Sequence, residues 1–144
     1  MRFEVPAQKT LTHEMTIPIR WGDMDTMGHV NNTVYFRYFE IARLEWLFKV
    51  GGPPDPLGTG PVIVNAFCNF IHQLEFPGEL LARHYVCNTG RSSFDTYISL
   101  ARCEAPDRVC AEGGATTVWV DFQARKSVPL PDWMKKLLPY PPAR

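Results

Sequence analysis

Apolar and polar residues alternate through Met15, Ile17, Ile19 and Trp21, with Thr16, Pro18 and Arg20 between them. A period of two is that of a half-buried strand. Pro18 has no N–H to give to a ladder, so this strand is expected at a sheet edge or at an irregularity. From about Asn32 to Lys49 the period lengthens to 3.6, and Tyr35, Tyr38, Phe39, Ala42 and Trp46 form one stripe. Phe36, Leu44, Leu47 and Phe48 occupy much of the other side. A helix apolar nearly all round belongs in the interior of a fold. Asn31 or Asn32 is suited to cap its start.

Val50 to Pro61 is rich in glycine and proline and reads as a loop. After it the two-residue period returns in Val62 to Phe70, Leu80 to Thr89, Phe94 to Leu100 and Val109 to Phe122. Gly113-Gly114 interrupts the last of these, which predicts a bulge or a close backbone approach. From Ser127 the chain becomes proline-rich around a short apolar segment, Trp133 to Leu138, expected to pack locally. One strand, one long buried helix and four more strands, joined mostly by hairpins, predict an α+β fold: an antiparallel sheet curled around a single helix.

With 144 residues, one domain is expected, its core over about residues 12–126 and its tail over 127–144. Fifteen basic and fifteen acidic residues cancel, so no global field favours nucleic acid or an anionic membrane. No run approaches the length of a membrane span, and Met1 to Thr10 lacks the apolar core of a signal peptide; a cytoplasmic protein is expected. Cys68, Cys87, Cys103 and Cys110 form no Cys-x-x-Cys pair, and no His-Glu-x-x-His spacing accompanies them. Neither a metal nor another cofactor is expected, and the cysteines read as small buried hydrophobes.

Asp23, Asp25, His29, Asn31 and Asn32 crowd into ten residues between the first strand and the helix. They stand where the first N–H groups of a helix have no partner within it, which suits a developing negative charge. Acidic residues there are also ordinary turn formers and caps. The run Asp23, Asp25, Gly28, His29, Val30, Asn31, Asn32 and Tyr35 resembles the signature of the hotdog-fold acyl-CoA thioesterases, the group of 4-hydroxybenzoyl-CoA thioesterase and its relatives. The resemblance implies the hotdog fold, an acyl-CoA substrate and hydrolysis without a cofactor. It makes Asp25 the catalytic carboxylate, with His29 and Asn32 beside it, and leaves Asp23 a structural role. Asn31 and Tyr35 are expected to line the site. In the similar turn of plant acyl-ACP thioesterases an Asn also contributes, but Met27 stands there here.

Cations for the CoA phosphates are sought in Arg91 and Ser92, within a Gly-containing turn, and in Arg125 and Lys126 past the last strand. Glu40 and Arg43 stand three apart and are expected to pair, with Glu40 a reserve carboxylate. His13, His72 and His84 read as satisfied polar positions. Open sheet edges predict a homodimer or homotetramer. Two alternatives remain open. One is a dehydratase or hydratase of acyl thioesters on the same fold, which Phe76-Pro77-Gly78 resembles faintly. The other is a non-catalytic acyl-thioester-binding protein.

Overall fold

The computed structural model describes residues 1–51 and 55–138. Residues 52–54 of the expected loop and residues 139–144 of the tail lie outside them. Strand β1 (Thr10–Ile19) is followed by a 3₁₀ turn (Trp21–Asp23) and the long helix α1 (Asn32–Gly51). Strands β2 (Thr59–Phe70), β3 (Gly78–Cys87), β4 (Ser93–Arg102) and β5 (Val109–Asp121) come next. A short β6 (Lys126–Ser127) and helix α2 (Asp132–Leu137) are the last elements among the described residues. The sheet is antiparallel in the order β1-β3-β4-β5-β2, with β6 added beside β5. Pro18 thus lies on an edge strand, as its missing N–H requires.

Helix α1 crosses one face of this sheet, which is the hotdog arrangement. Its predicted stripe is the buried one: Tyr35, Tyr38, Phe39, Ala42 and Trp46 are all within 5% of full burial. The first half packs with Ile17, Ile19, Leu80, Ala82, Ile98 and Leu100. Trp46 belongs to a second cluster with Val86, Phe94, Trp119, Leu130 and Met134. The tail therefore plugs one end of the sheet. Fully burying a side chain such as Met134, at 0% exposure, contributes roughly 1.5–3 kcal/mol. Phe36, Leu44 and Phe48 remain partly exposed, so a single chain covers only one side of the helix.

One feature differs from the sequence expectation, and a second decides between the two outcomes it left open. Trp21 does not continue the strand: it is 75% exposed, because the chain leaves β1 after Ile19 and turns. Gly113 and Gly114 mark close approaches rather than a bulge, and they do so on opposite faces. A Cβ on Gly113 would overlap the Phe39 ring of α1, whereas one on Gly114 would meet the rings of Phe67 and Tyr97 at 2.7 Å. The missing side chain at Gly113 is what lets α1 sit flush on the sheet.

The N-terminal arm runs over the face away from α1. The Phe3 N–H donates to Asn69 Oδ1 at 3.0 Å, and Asn69 Nδ2 donates back to the Phe3 carbonyl at 2.7 Å. The Phe3 ring rests on Phe67, 4.9 Å between centroids. On the opposite face His84 is fully buried, stacked on Trp46 at 4.8 Å. Its Nδ1 meets the Thr12 hydroxyl at 2.7 Å, while Nε2 has no partner among the described residues.

Candidate active site

The turn between β1 and α1 is built by its own polar side chains. The Asp23 N–H donates to the Arg20 carbonyl at 3.0 Å, and the Arg20 N–H donates to Asp23 Oδ2 at 2.8 Å. Asp23 Oδ2 also accepts from the Tyr38 hydroxyl at 2.7 Å, which ties the turn to α1. Burial and the neighbouring Asp23 carboxylate push the Tyr38 phenol upward, so it remains a donor. Asp23 is thus structural. Asp23→Ala would leave the buried Tyr38 hydroxyl without its acceptor and should cost about 1–3 kcal/mol. An unchanged urea midpoint in that variant would remove this role.

Beyond Asp23 the chain makes a tight loop. Met24 and Val30 pair as an antiparallel bridge, and the Asp25 N–H donates to the His29 carbonyl at 2.9 Å. Gly28 closes the loop with φ of +81°, a conformation glycine adopts without a Cβ penalty. The Val30 N–H donates to the Leu74 carbonyl at 2.8 Å and pins the loop to the segment between β2 and β3. Asp25 is held by both oxygens: Oδ1 accepts from the Met27 N–H at 2.9 Å and Oδ2 from Asn31 Nδ2 at 3.2 Å. An ionised carboxylate has about four acceptor positions, so two stay open to water or substrate.

Asn31 settles which asparagine caps the helix. Its Oδ1 accepts from the Thr33 N–H at 3.0 Å and from the Thr33 hydroxyl at 2.6 Å. The same side chain therefore links Asp25 to the start of α1. Asn32, in the first turn, is left to face an open cleft of about 700 Å³. Asp25, His29, Asn32 and Tyr35 line one wall, and Phe70, Ile71, His72 and Gln73 the other. Tyr35 stands edge-on to Phe70, 4.9 Å between centroids. The His29 Nε2 lies 3.8 Å from Glu75 Oε1, an ion-pair distance but too long for a hydrogen bond.

His72, just past the end of β2, is a satisfied polar position as expected, and it is also part of this cleft's rim. Its Nδ1 lies 3.3 Å from a guanidinium nitrogen of Arg108, the cation that adjoins the site. Nothing in the spacing of Phe70, His72 and Arg108 marks them. The end of β2 and the β4–β5 connection reach the cleft only through the sheet topology.

The four residues proposed for phosphate contacts lie elsewhere. Arg91 and Ser92 sit in the β3–β4 hairpin, and Arg125 and Lys126 follow β5. Antiparallel register puts both at the end of the sheet opposite the cleft, about 25 Å away along the strands. One chain does not bring them to its own Asp25. The expected Glu40–Arg43 pair is also replaced: Glu40 Oε1 accepts from Arg37 at 2.7 Å, since i−3 and i+3 partners compete equally for it. Burial pushes the Cys68 thiol up to about 12, with Glu112 adding to the effect, so it is no ready nucleophile. Among the described residues no group of three or more His, Cys, Asp or Glu side chains could hold a metal.

A profile of the thioesterase-like superfamily matches residues 19–138, which include the whole turn and helix. The chain belongs to that superfamily. Among solved structures, this thioesterase-like protein is similar to PA2801 of Pseudomonas aeruginosa, a candidate thioesterase. The two share 35% identity and a TM-score of 0.84, over 88% of this chain and 98% of the other. It is similar also to the BH1999 gentisyl-coenzyme A thioesterase, at 25% identity and a TM-score of 0.76, over 85% and 99% of the two chains. The uncharacterised YsmA protein of Bacillus subtilis (strain 168) is 26% identical over 122 residues, 85% of this chain and 82% of that protein. Family and fold make this a thioester hydrolase by class.

Proposed function

We propose that this thioesterase-like protein hydrolyses an acyl-CoA to the free acid and CoA, with Asp25 as general base or nucleophile. The observation that carries the reading is the placement of Asp25: held by two donors, it faces a cleft that also contains the first turn of α1. As a base, Asp25 takes a proton from water while the water oxygen bonds to the thioester carbon. As a nucleophile it bonds to that carbon itself, and water then cleaves the resulting anhydride. In both routes the C–S bond breaks and the thiolate leaves with a proton. Negative charge on the carbonyl oxygen is met by the backbone N–H of Asn32 at the start of α1, since the Thr33 and Val34 N–H groups are given to Asn31. His29 positions water or substrate.

The competing dehydration is tested directly. Saturated and 3-hydroxyacyl-CoAs are offered with a thiol reagent and mass detection. Release of thiol from the saturated substrate supports hydrolysis. Enoyl-CoA from the 3-hydroxy substrate, with no thiol from any acyl-CoA, would replace the reading; binding of acyl-CoA without turnover would make the protein a carrier.

The same reading includes a cytoplasmic homodimer. Strand β2 ends the sheet, and Val62, Ile63 and Val64 on it are 38–56% exposed beside Phe36, Leu44 and Phe48 of α1. An exposed apolar edge next to an exposed apolar helix face favours pairing with a second copy. An antiparallel junction of two β2 edges would set Arg91, Ser92, Arg125 and Lys126 of one copy toward the Asp25 end of the other. Val64→Lys should then yield a monomer in analytical ultracentrifugation. A wild-type chain that is monomeric at micromolar concentration and fully active would sink the dimer.

A further inference from the structure

A second cavity lies beside the far half of α1, between the helix and strands β2, β4 and β5, and opens to solvent past Leu44 and Ile63, on the face proposed to meet a second copy. Its volume is about 210 Å³. A cavity of roughly 150 Å³ already admits benzene, so this one holds a ring with a substituent or the end of an alkyl chain. Trp46, Leu47, Ile63 and Phe94 form apolar walls, and the Thr96 and Thr117 side chains and Arg43 supply the polar ones. Thr96 and Thr117 are 1% and 3% exposed.

Arg43 stands out among these groups. Its guanidinium makes no hydrogen bond among the described residues, although it is half-buried. Five N–H donors in a fixed fork are thus left at an apolar cavity. Burial lowers its pKa, which marks the cost of holding the charge there, and Glu40 only partly opposes this. Glu40 also lines the cavity, but its carboxylate is engaged by Arg37 at 2.7 Å. Arg37, Glu40 and Arg43 together carry one excess positive charge. His84, behind Arg43, stays neutral and adds none.

Both the cavity and the Asp25 cleft lie between α1 and β2, at different ends of that strand. Asn32 and Arg43 are about 16 Å apart along the helix axis, within reach of a medium-length acyl chain. We propose that this cavity receives the far end of the acyl group and that Arg43 selects a carboxylate there, making ω-carboxyacyl thioesters the preferred substrate class. A planar carboxylate matches the guanidinium fork with two parallel hydrogen bonds, which a methyl terminus leaves unmade. The substrate class rests on the thioesterase reading, whereas carboxylate binding at Arg43 is tested apart from it.

The experiment compares kcat/KM for acyl-CoAs of equal length ending in methyl or carboxylate, from six to twelve carbons. Wild type should prefer the carboxylate end at one length by roughly tenfold or more, the scale of a hydrogen bond to a charged group. Arg43→Met should abolish that preference, with Arg43→Lys and Thr117→Val in between. Methyl-terminated chains preferred at every length, or an Arg43→Met variant that keeps the wild-type ratio, would overturn the proposal. So would an Arg43→Met chain whose only change is loss of the dimer, since Arg43 would then serve a partner. Calorimetry with free suberate and octanoate separates the two readings. If no acyl-CoA is hydrolysed, tighter binding of suberate that vanishes in Arg43→Met still supports the cavity, and equal binding refutes it.

Discussion

Replacing Asp25 by Asn is expected to lower kcat by about 10²–10⁴, the usual loss when a positioned general base is removed. The change is nearly isosteric, but its cost to the fold is not zero. Asp25 accepts hydrogen bonds on both oxygens, from Met27 and from Asn31, and an amide offers only one oxygen. Asn31 cannot turn its own amide over to compensate, because its oxygen caps Thr33. One of the two bonds is therefore lost, a penalty of about 1 kcal/mol, which a urea titration measures separately from turnover. A well-folded Asp25→Asn protein with near-wild-type kcat would remove Asp25 from the chemistry. Glu40→Gln, assayed beside it, identifies Glu40 of α1 as the catalytic carboxylate instead if that variant alone is dead.

Acidification should destabilise the protein through His84 well before carboxylates are protonated. Burial, then the charges on Arg43 and on His13, push this imidazole down from 6.5 to about 3 in the folded chain. In the unfolded chain it titrates normally, so between these values the unfolded state binds more protons. Stability from neutral His84 is complete above about pH 6.5 and is lost as pH falls toward 3. By pH 5 the loss should be about 2 kcal/mol, growing to several kcal/mol lower down. Urea midpoints between pH 7 and pH 5 test this, with His84→Leu as the control that should flatten the dependence. If wild type and variant share the same slope, His84 is not the titrating group.

Much of this was legible in the chain because the informative contacts are local. The buried stripe of α1 follows from its 3.6-residue period, and Asp25, His29, Asn31 and Asn32 come together because one loop and one helix start hold them. What was not legible depends on strands distant in sequence. His72 and Phe70 reach the cleft only because β2 pairs with β5 at the edge of the sheet rather than with β3. Arg91 and Arg125 face the wrong end for the opposite reason: a hairpin after one strand length reverses the chain away from the site. The Glu40 pairing was ambiguous in principle, since Arg37 and Arg43 flank it symmetrically, and only side-chain placement decides between them.

The reciprocal hold between Phe3 and Asn69 also governs how the molecule behaves in suspension. Asn69 is 7% exposed, and the Phe3 backbone is what pairs its amide on both sides. Trimming the chain past Phe3 would strand that amide and strip the cover from Phe67 and Tyr97, an aromatic patch on the outer sheet face. Such a patch invites sheet faces of separate molecules to stick. Protease nicking near the start should thus first appear as light scattering, while the turn that carries Asp25, on the other side of the sheet, keeps its geometry.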